Sequence, residues 1–110
     1  MYIFNMNFKG SLPMLILNVL TQGPNHGYQI AQHIKRNSGG VLDFKEGTLY
    51  PTLHALERRG SLEAVETLEN GRIRRDYSLT ASGRQMLAAE VQAWRQFVDA
   101  VNLNLEDRKI

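Results

Sequence analysis

The pair Asn70-Gly71, set between Leu62 to Leu68 and Ile73 to Leu79, commits the middle of this chain to a β-hairpin. The type of two-residue connection that Asn-Gly favours has positive φ at both central positions, which this pair adopts at little steric cost. Ile73, Arg75, Tyr77 and Leu79 alternate onto one face of the second strand. Directly before the hairpin lies a short helical run, EGTLYPTLHALERRG, from Glu46 to Gly60. Its helix is expected to start around Gly47-Thr48, with Leu49, Leu53 and Leu56 as a buried i, i+4, i+7 face. Pro51 is expected in the first turn, and Gly60 fits the position just past the helix end.

Two further helices precede this unit. Leu12, Leu15, Ile16, Val19 and Leu20 recur at helical spacing, with Ser11 as expected N-cap, Pro13 in the first turn and Gly23-Pro24 as the stop. Asn25 or His26 opens a second helix, whose apolar stripe reads Tyr28, Ile30, Ala31 and Ile34 and which ends near Ser38-Gly39-Gly40. Val41 to Phe44 reads as a short extended segment. Tyr2, Phe4, Met6 and Phe8 alternate in a lead-in that is either an extended arm or the first turns of a helix. Thr80 is placed to cap a long final helix, Ala81 to about Leu105. The expected organisation is residues 1–80 as one unit with its N-terminal arm or helix, and 81–110 as an appended dimerisation helix.

Composition narrows the chemistry. A chain of 110 residues with 43% apolar content suits one folded domain with an appended helix. There is no cysteine, so disulfides, thiolate metal sites and cysteine nucleophiles are excluded, which fits a cytoplasmic protein. The stretch Leu12 to Leu20 is too short to span a bilayer, and no membrane partner is expected. It follows Lys9 but lacks a small-residue cleavage pattern, so it does not read as a signal peptide. His26, His33 and His54 do not form a metal spacing, and no cofactor is expected. Without a phosphate loop or a nucleophile motif, the chain does not read as an enzyme.

Net charge is only +2, so placement matters more than sum. Arg72, Arg74 and Arg75 follow the turn, with no acid between Asn70 and Arg75, while Glu63, Glu66 and Glu69 come before it. The order helix, helix, helix, hairpin, with arginines at the hairpin tip, is the plan of a winged helix-turn-helix. The expected fold is therefore mainly α with a small β-hairpin (α+β). In such a fold the third helix enters the major groove of double-stranded DNA and the hairpin tracks the backbone or the adjacent minor groove. With the leucine face buried, Thr48, Pro51, Thr52, His54, Ala55, Arg58 and Arg59 are left toward solvent or DNA. Tyr50 either packs or offers its hydroxyl to a phosphate. The same fold without DNA would be a protein-interaction module, and unpaired arginines at the hairpin tip argue against that alternative.

His26-Gly-Tyr28, Glu46-Gly-Thr-Leu-Tyr-Pro-Thr-Leu53, Leu56-Glu-Arg-Arg-Gly60 and Tyr77-Ser-Leu-Thr-Ala-Ser-Gly83 together resemble the PadR family of bacterial transcriptional regulators. The resemblance runs from about Leu12 to Leu105, and the single C-terminal helix is similar to the compact subgroup. It implies a dimeric winged helix-turn-helix, usually a repressor, on inverted-repeat operators. Carried over by position, Tyr28 falls on the helix-two motif, Thr48, Tyr50 and Pro51 on the recognition-helix motif, and Gly71, Arg72, Arg74 and Arg75 on the wing. Ile73, Asp76 and Ser78 depart from the basic or aromatic residues common there, and Asp76 adds negative charge beside the wing.

The final helix carries a second message. Leu87, Val91, Trp94, Val98, Val101 and Leu105 follow a 4-3-4-3-4 spacing, a heptad seam. A long amphipathic helix after a small domain finds its partner in a second copy, or packs back on the first helix, and the two are compatible. Homodimerisation is expected. In compact multidrug-sensing relatives a tryptophan at the position of Trp94 lines an apolar pore between subunits. The resemblance therefore implies an effector site for a planar aromatic or apolar small molecule, with Met14, Phe97 and Val98 as neighbours of Trp94. The plainer role of Trp94 is to fill the dimer core.

Overall fold

The computed structural model describes the backbone of residues 2–107 and the side chains of residues 10–106. Helix α1 (Tyr2–Val19) runs into a short 3-10 turn, Leu20–Gln22, and stops at Gly23, whose φ of 132° favours glycine. Strand β1 (Asn25–His26) leads into α2 (Gly27–Asn37), followed by α3 (Glu46–Arg58). The hairpin strands are β2 (Leu62–Glu69) and β3 (Arg72–Leu79), and α4 (Ala81–Asp107) closes the described chain. The three strands form one antiparallel sheet in the order β1-β3-β2.

Helix α1 is the centre of the molecule. Leu12, Ile16, Leu17, Val19 and Leu20 are all buried, and Met14 nearly so. A helix that is apolar around most of its surface must be covered on several sides. Helices α2 and α3 cover part of it and α4 covers another. Ile30 and Ile34 of α2, Leu49, Leu53 and Leu56 of α3, and Leu62 and Tyr77 of the sheet complete one core. Each such leucine contributes about 1.5–3 kcal/mol by leaving water.

Local signals explain most boundaries. Gly60 has φ 85°, Ser61 N–H donates to Leu56 O (3.0 Å) and Gly60 N–H to Glu57 O (3.0 Å). This is a Schellman ending, which satisfies carbonyls the helix would leave open. Asn70 (φ 54°) and Gly71 (φ 78°) form the expected two-residue turn, and Glu69 pairs with Arg72 across it. Thr80 caps α4, its Oγ1 accepting from Gly83 N–H at 3.0 Å.

Several expectations need correction. The lead-in backbone is helical from Tyr2, so Ser11 lies within α1 and is not its cap, and Pro13 is interior. The side chains of Tyr2, Phe4, Met6 and Phe8 lie outside the described residues. Pro51 is also interior, because α3 begins at Glu46, with Lys45 as its N-cap. An interior proline removes one helical hydrogen bond, and the three buried leucines hold α3 across that gap. Tyr28 does not join the stripe of α2 and is 61% exposed. Ile73 shares a strand face with Tyr77 but sits beyond the helices that cover it, and is 72% exposed. Val41 to Phe44 forms no strand.

The junction between hairpin and α4 is tight. Thr80 N–H donates to Ser61 O (3.2 Å), Thr80 Oγ1 donates to Gly60 O (2.6 Å), and Ser61 Oγ donates to Met86 Sδ (3.4 Å). A Cβ on Gly83 would lie 2.1 Å from Ser61 O and 2.9 Å from Leu79 Cδ1, so only glycine permits this approach. Beyond Met86 and Leu87, α4 leaves the core, and the described chain is 63 Å long in its longest dimension. Phe97, Val101, Leu103 and Leu105 are exposed along it.

Candidate nucleic-acid interface

Helix α3 presents a face that its own packing leaves open. With Leu49, Leu53 and Leu56 turned inward, Pro51, His54, Arg58 and Arg59 are exposed and Thr48, Thr52 and Ala55 half-buried. Thr52 Oγ1 donates to Thr48 O at 2.8 Å, so its hydroxyl keeps only acceptor capacity for an outside group. Tyr50 is a packing residue in this structure. A Cβ on Gly27 would come within 2.7–2.9 Å of its ring, so the ring rests on the glycine at the start of α2. Burial, reinforced by the charge of Glu46, pushes the Tyr50 phenol above its ordinary value. Tyr28 lies one residue beyond that glycine and is exposed.

The wing arginines are not bare. Arg74 Nε and Nη2 donate to the two carboxylate oxygens of Asp76 (3.0 and 3.2 Å), and Nη1 donates to Glu69 Oε1 (3.1 Å). Arg75 Nη2 donates to Glu57 Oε2 (2.6 Å) and Nη1 to Glu66 Oε2 (2.9 Å), while its guanidinium lies 5.8 Å from the Tyr77 ring centroid. The bonds that Arg74 donates to Asp76 raise its pKa above the ordinary arginine value, and the bond that Arg75 donates to Glu57 does so more strongly. Arg72 makes no ion pair among the described residues. The inference from unpaired arginines therefore fails for Arg74 and Arg75.

These pairings divide into two kinds. Glu57 belongs to α3, so Arg75 ties the wing to the helix beside it. Glu69 and Asp76 both belong to the hairpin, so Arg74 is held by the wing's own carboxylates. Helix and wing meet at a cleft of about 310 Å³, lined by His26, Tyr50, His54, Ile73, Arg74 and Arg75 among others. The structure thus brings Tyr50 and His54 of α3 together with Arg74 and Arg75 of the wing, while Thr48, Pro51, Thr52, Arg58, Arg72 and Tyr28 do not line that cleft.

A second candidate site lies on α4. The Trp94 and Phe97 rings are 5.9 Å apart and tilted by 38°. Two open grooves flank Trp94, and Met14 lines both. One, of about 360 Å³, adds Leu15, Val91 and Val98, and the other, of about 300 Å³, adds Ala93 and Phe97. Met14 and Trp94 thus share one groove with Val98 and the other with Phe97. On the seam, Leu87 packs against the core, Val91 and Val98 are half-buried, and Trp94, Val101 and Leu105 are exposed. Among the described residues no cluster of His, Asp and Glu could hold a metal, and no helix is long and apolar enough to cross a membrane.

Sequence reasoning overlooked Glu57, Glu66 and Glu69 as arginine partners. The Asn-Gly turn contained half of that answer, since a two-residue loop after Glu69 sets Glu66 opposite Arg75. Gly27 and Gly83 were quoted in motifs without a reason. Both are places where another element comes too close for a Cβ.

The same fold is found in known proteins. The model of the transcriptional regulator PadR-like family matches residues 16–89. A transcriptional regulator of Mycobacterium tuberculosis is 32% identical over 93 residues, which cover 84% of each chain. A PadR family transcriptional regulator from Eggerthella lenta superposes with a TM-score of 0.85 at 26% identity, over 96% of this chain and 90% of that one. Bacillus subtilis PadR, solved in complex with operator DNA, aligns with a TM-score of 0.67 at 30% identity, over 73% of this chain and 45% of that longer one. The family match takes in α2, α3, the whole hairpin and the Gly83 junction, and the chain belongs to the PadR-like family of transcriptional regulators, with their winged helix-turn-helix fold.

Proposed function

We propose that this chain is a sequence-specific, DNA-binding transcriptional repressor that acts as a homodimer on an inverted-repeat operator. The observation that carries the reading is the open face of α3 beside the wing. Pro51, His54 and Arg58 are exposed there, and Thr48 and Thr52 are half-buried. In the major groove, Thr and His reach phosphates or base edges, Arg58 reaches phosphate or guanine, and Pro51 meets apolar base edges. Tyr28 and Arg72 contact the flanking backbone, and Arg74 and Arg75 frame the wing. Tyr50 sets the angle between α2 and α3 and offers its hydroxyl to a phosphate. The relative from Bacillus subtilis, solved with operator DNA, supports this use of the fold.

The dimer reading rests on α4. Leu87, Val91, Trp94, Val98, Val101 and Leu105 keep heptad spacing, and the distal half is exposed in the single chain. Pairing of two α4 helices would cover that half, and residues 81–110 would then act as the dimerisation element for the unit formed by 1–80. The effector reading rests on the grooves beside Trp94. A planar aromatic or apolar molecule stacked there, against Met14, Phe97 and Val98, would shift α4 and so change the spacing of the two recognition helices. Operator half-sites must match that spacing, so release follows from a small displacement. Such a repressor acts in the cytoplasm, where the bacterial chromosome lies.

The test is a mobility shift on the chain's own promoter region across a salt series, with excess competitor DNA. Retained binding that weakens with salt supports the repressor. Binding abolished by competitor, or no binding, would favour a protein-interaction module.

A further inference from the structure

The hairpin is named a wing by its fold, yet its charge has the wrong sign for one. Between Leu62 and Leu79 stand Glu63, Glu66, Glu69 and Asp76 against Arg72, Arg74 and Arg75. Four carboxylates outnumber three guanidinium groups, so the hairpin carries a formal net charge that is negative. The carboxylates are not scattered. Asp76 takes Arg74 with both oxygens, and Glu69 takes its remaining nitrogen, at 3.0–3.2 Å. That is the bidentate, charge-assisted geometry with which arginine grips a phosphate. The Arg74 side chain nevertheless remains 40% exposed, and Arg74 lines the cleft where wing meets α3.

We propose that Glu69 and Asp76 are specificity determinants, because they occupy Arg74 as an internal substitute for phosphate and so suppress binding to non-operator DNA. The proposal rests on the DNA-binding reading and deepens it. Non-specific affinity comes almost wholly from cations on phosphates. An arginine already neutralised by two carboxylates adds little to it. On the operator, α3 docks fully in the groove and brings the backbone to the wing, where phosphate replaces the carboxylates. On other sequences α3 does not seat, the exchange does not occur, and the wing stays net acidic. Arg75 takes a different part. Its bond to Glu57 ties the hairpin to α3, so the wing keeps its place while Arg74 exchanges.

The experiment compares Glu69→Gln/Asp76→Asn with Glu63→Gln and wild type, by fluorescence anisotropy on operator and scrambled duplexes across a salt series. Glu63 is on the same hairpin and pairs with no arginine among the described residues, so its variant changes charge without releasing one. Freeing Arg74 is expected to raise scrambled-duplex affinity roughly tenfold and to steepen its log–log salt slope by about 0.9, the value for one added phosphate contact. Operator affinity is expected to rise much less, so the specificity ratio falls. Glu63→Gln is expected to leave the slope unchanged. An unchanged slope in the double variant, an equal gain on both duplexes, or the same effect from Glu63→Gln would each overturn the proposal. Wild-type binding to the operator in the same series is the separate check on the DNA-binding reading. If it is absent, that reading fails and this inference with it. Thermal melting of wild type and both variants confirms that all three proteins are folded.

Discussion

Replacing Gly83 with alanine should destabilise this protein even though it improves a helix. Gly83 lies in the first turn of α4, where alanine in place of glycine normally gains up to about 1 kcal/mol. Here the new Cβ would sit 2.1 Å from the carbonyl oxygen of Ser61, a backbone atom that cannot swing away. Ordinary non-bonded contact is near 3.5 Å, so α4 would have to lift by roughly 1 Å. That movement breaks the bond from Thr80 N–H to Ser61 O, now 3.2 Å, and strains the 2.6 Å bond from Thr80 Oγ1 to Gly60 O. Lost hydrogen bonds cost about 0.5–1.5 kcal/mol each, and overpacking typically adds 1–3 kcal/mol. After subtraction of the helix gain, the net loss is about 2 kcal/mol, on the order of 10 °C in melting temperature. The matched control is Gly10→Ala in α1, where an added Cβ meets nothing within 4 Å. It should stabilise by about 0.5–1 kcal/mol. Urea denaturation at one fixed protein concentration reads both, because the proposed dimerisation would make the midpoint depend on concentration. A Gly83→Ala protein as stable as wild type would refute the reasoning, since the close approach of α4 to Ser61 would then be absent.

Other expectations follow from the same structure. Leu53→Ala removes a fully buried side chain beneath the open face of α3 and should cost about 2–5 kcal/mol, read as a lower urea midpoint. Gly47→Ala meets open space in the first turn of α3 and should raise stability by up to about 1 kcal/mol. If the α3 N-terminus abuts a phosphate, the same change lowers operator affinity, and unaltered affinity would remove the backbone of Gly47 from the interface. The raised pKa of Tyr50 stabilises the fold below the ordinary tyrosine value of 10.0, and that contribution is lost as pH rises through the raised value. A urea midpoint followed from pH 8 to 11 should therefore fall more in wild type than in Tyr50→Phe. Trp94 is the single tryptophan, so planar aromatic ligands bound in its grooves should quench the protein's fluorescence. Trp94→Ala should keep operator binding and lose the response to such ligands, whereas loss of the dimer would mark Trp94 as core.

What was legible in the sequence is what contiguous residues decide. The leucines of α3, the Gly60 ending, the Asn70-Gly71 turn and the Thr80 cap each depend on neighbours within one turn or one hairpin. Strand β1 was hidden because it is two residues long and exists only through pairing with Tyr77 and Asp76, far along the chain. The N-terminus of α1 was misread because Ser11 and Pro13 imitate a helix start, while the helix continues upstream through both. Tyr28 fits the α2 stripe by spacing, but the space beside Gly27 is filled by Tyr50 from α3. At the candidate site, the exposed residues of α3 follow from its buried face. The ion pair between Arg75 and Glu57 joins two elements and could not be read from either one. That pair ties the wing to α3.

The central claim is that two copies of α3 read an inverted repeat, and a hydroxyl-radical footprint on the promoter region tests it most directly. The account predicts two protected half-sites related by two-fold symmetry, with centres about one helical turn apart, roughly 34 Å, or a multiple of it. Uniform protection, a single half-site, or no protection at protein concentrations where the dimer forms would contradict it.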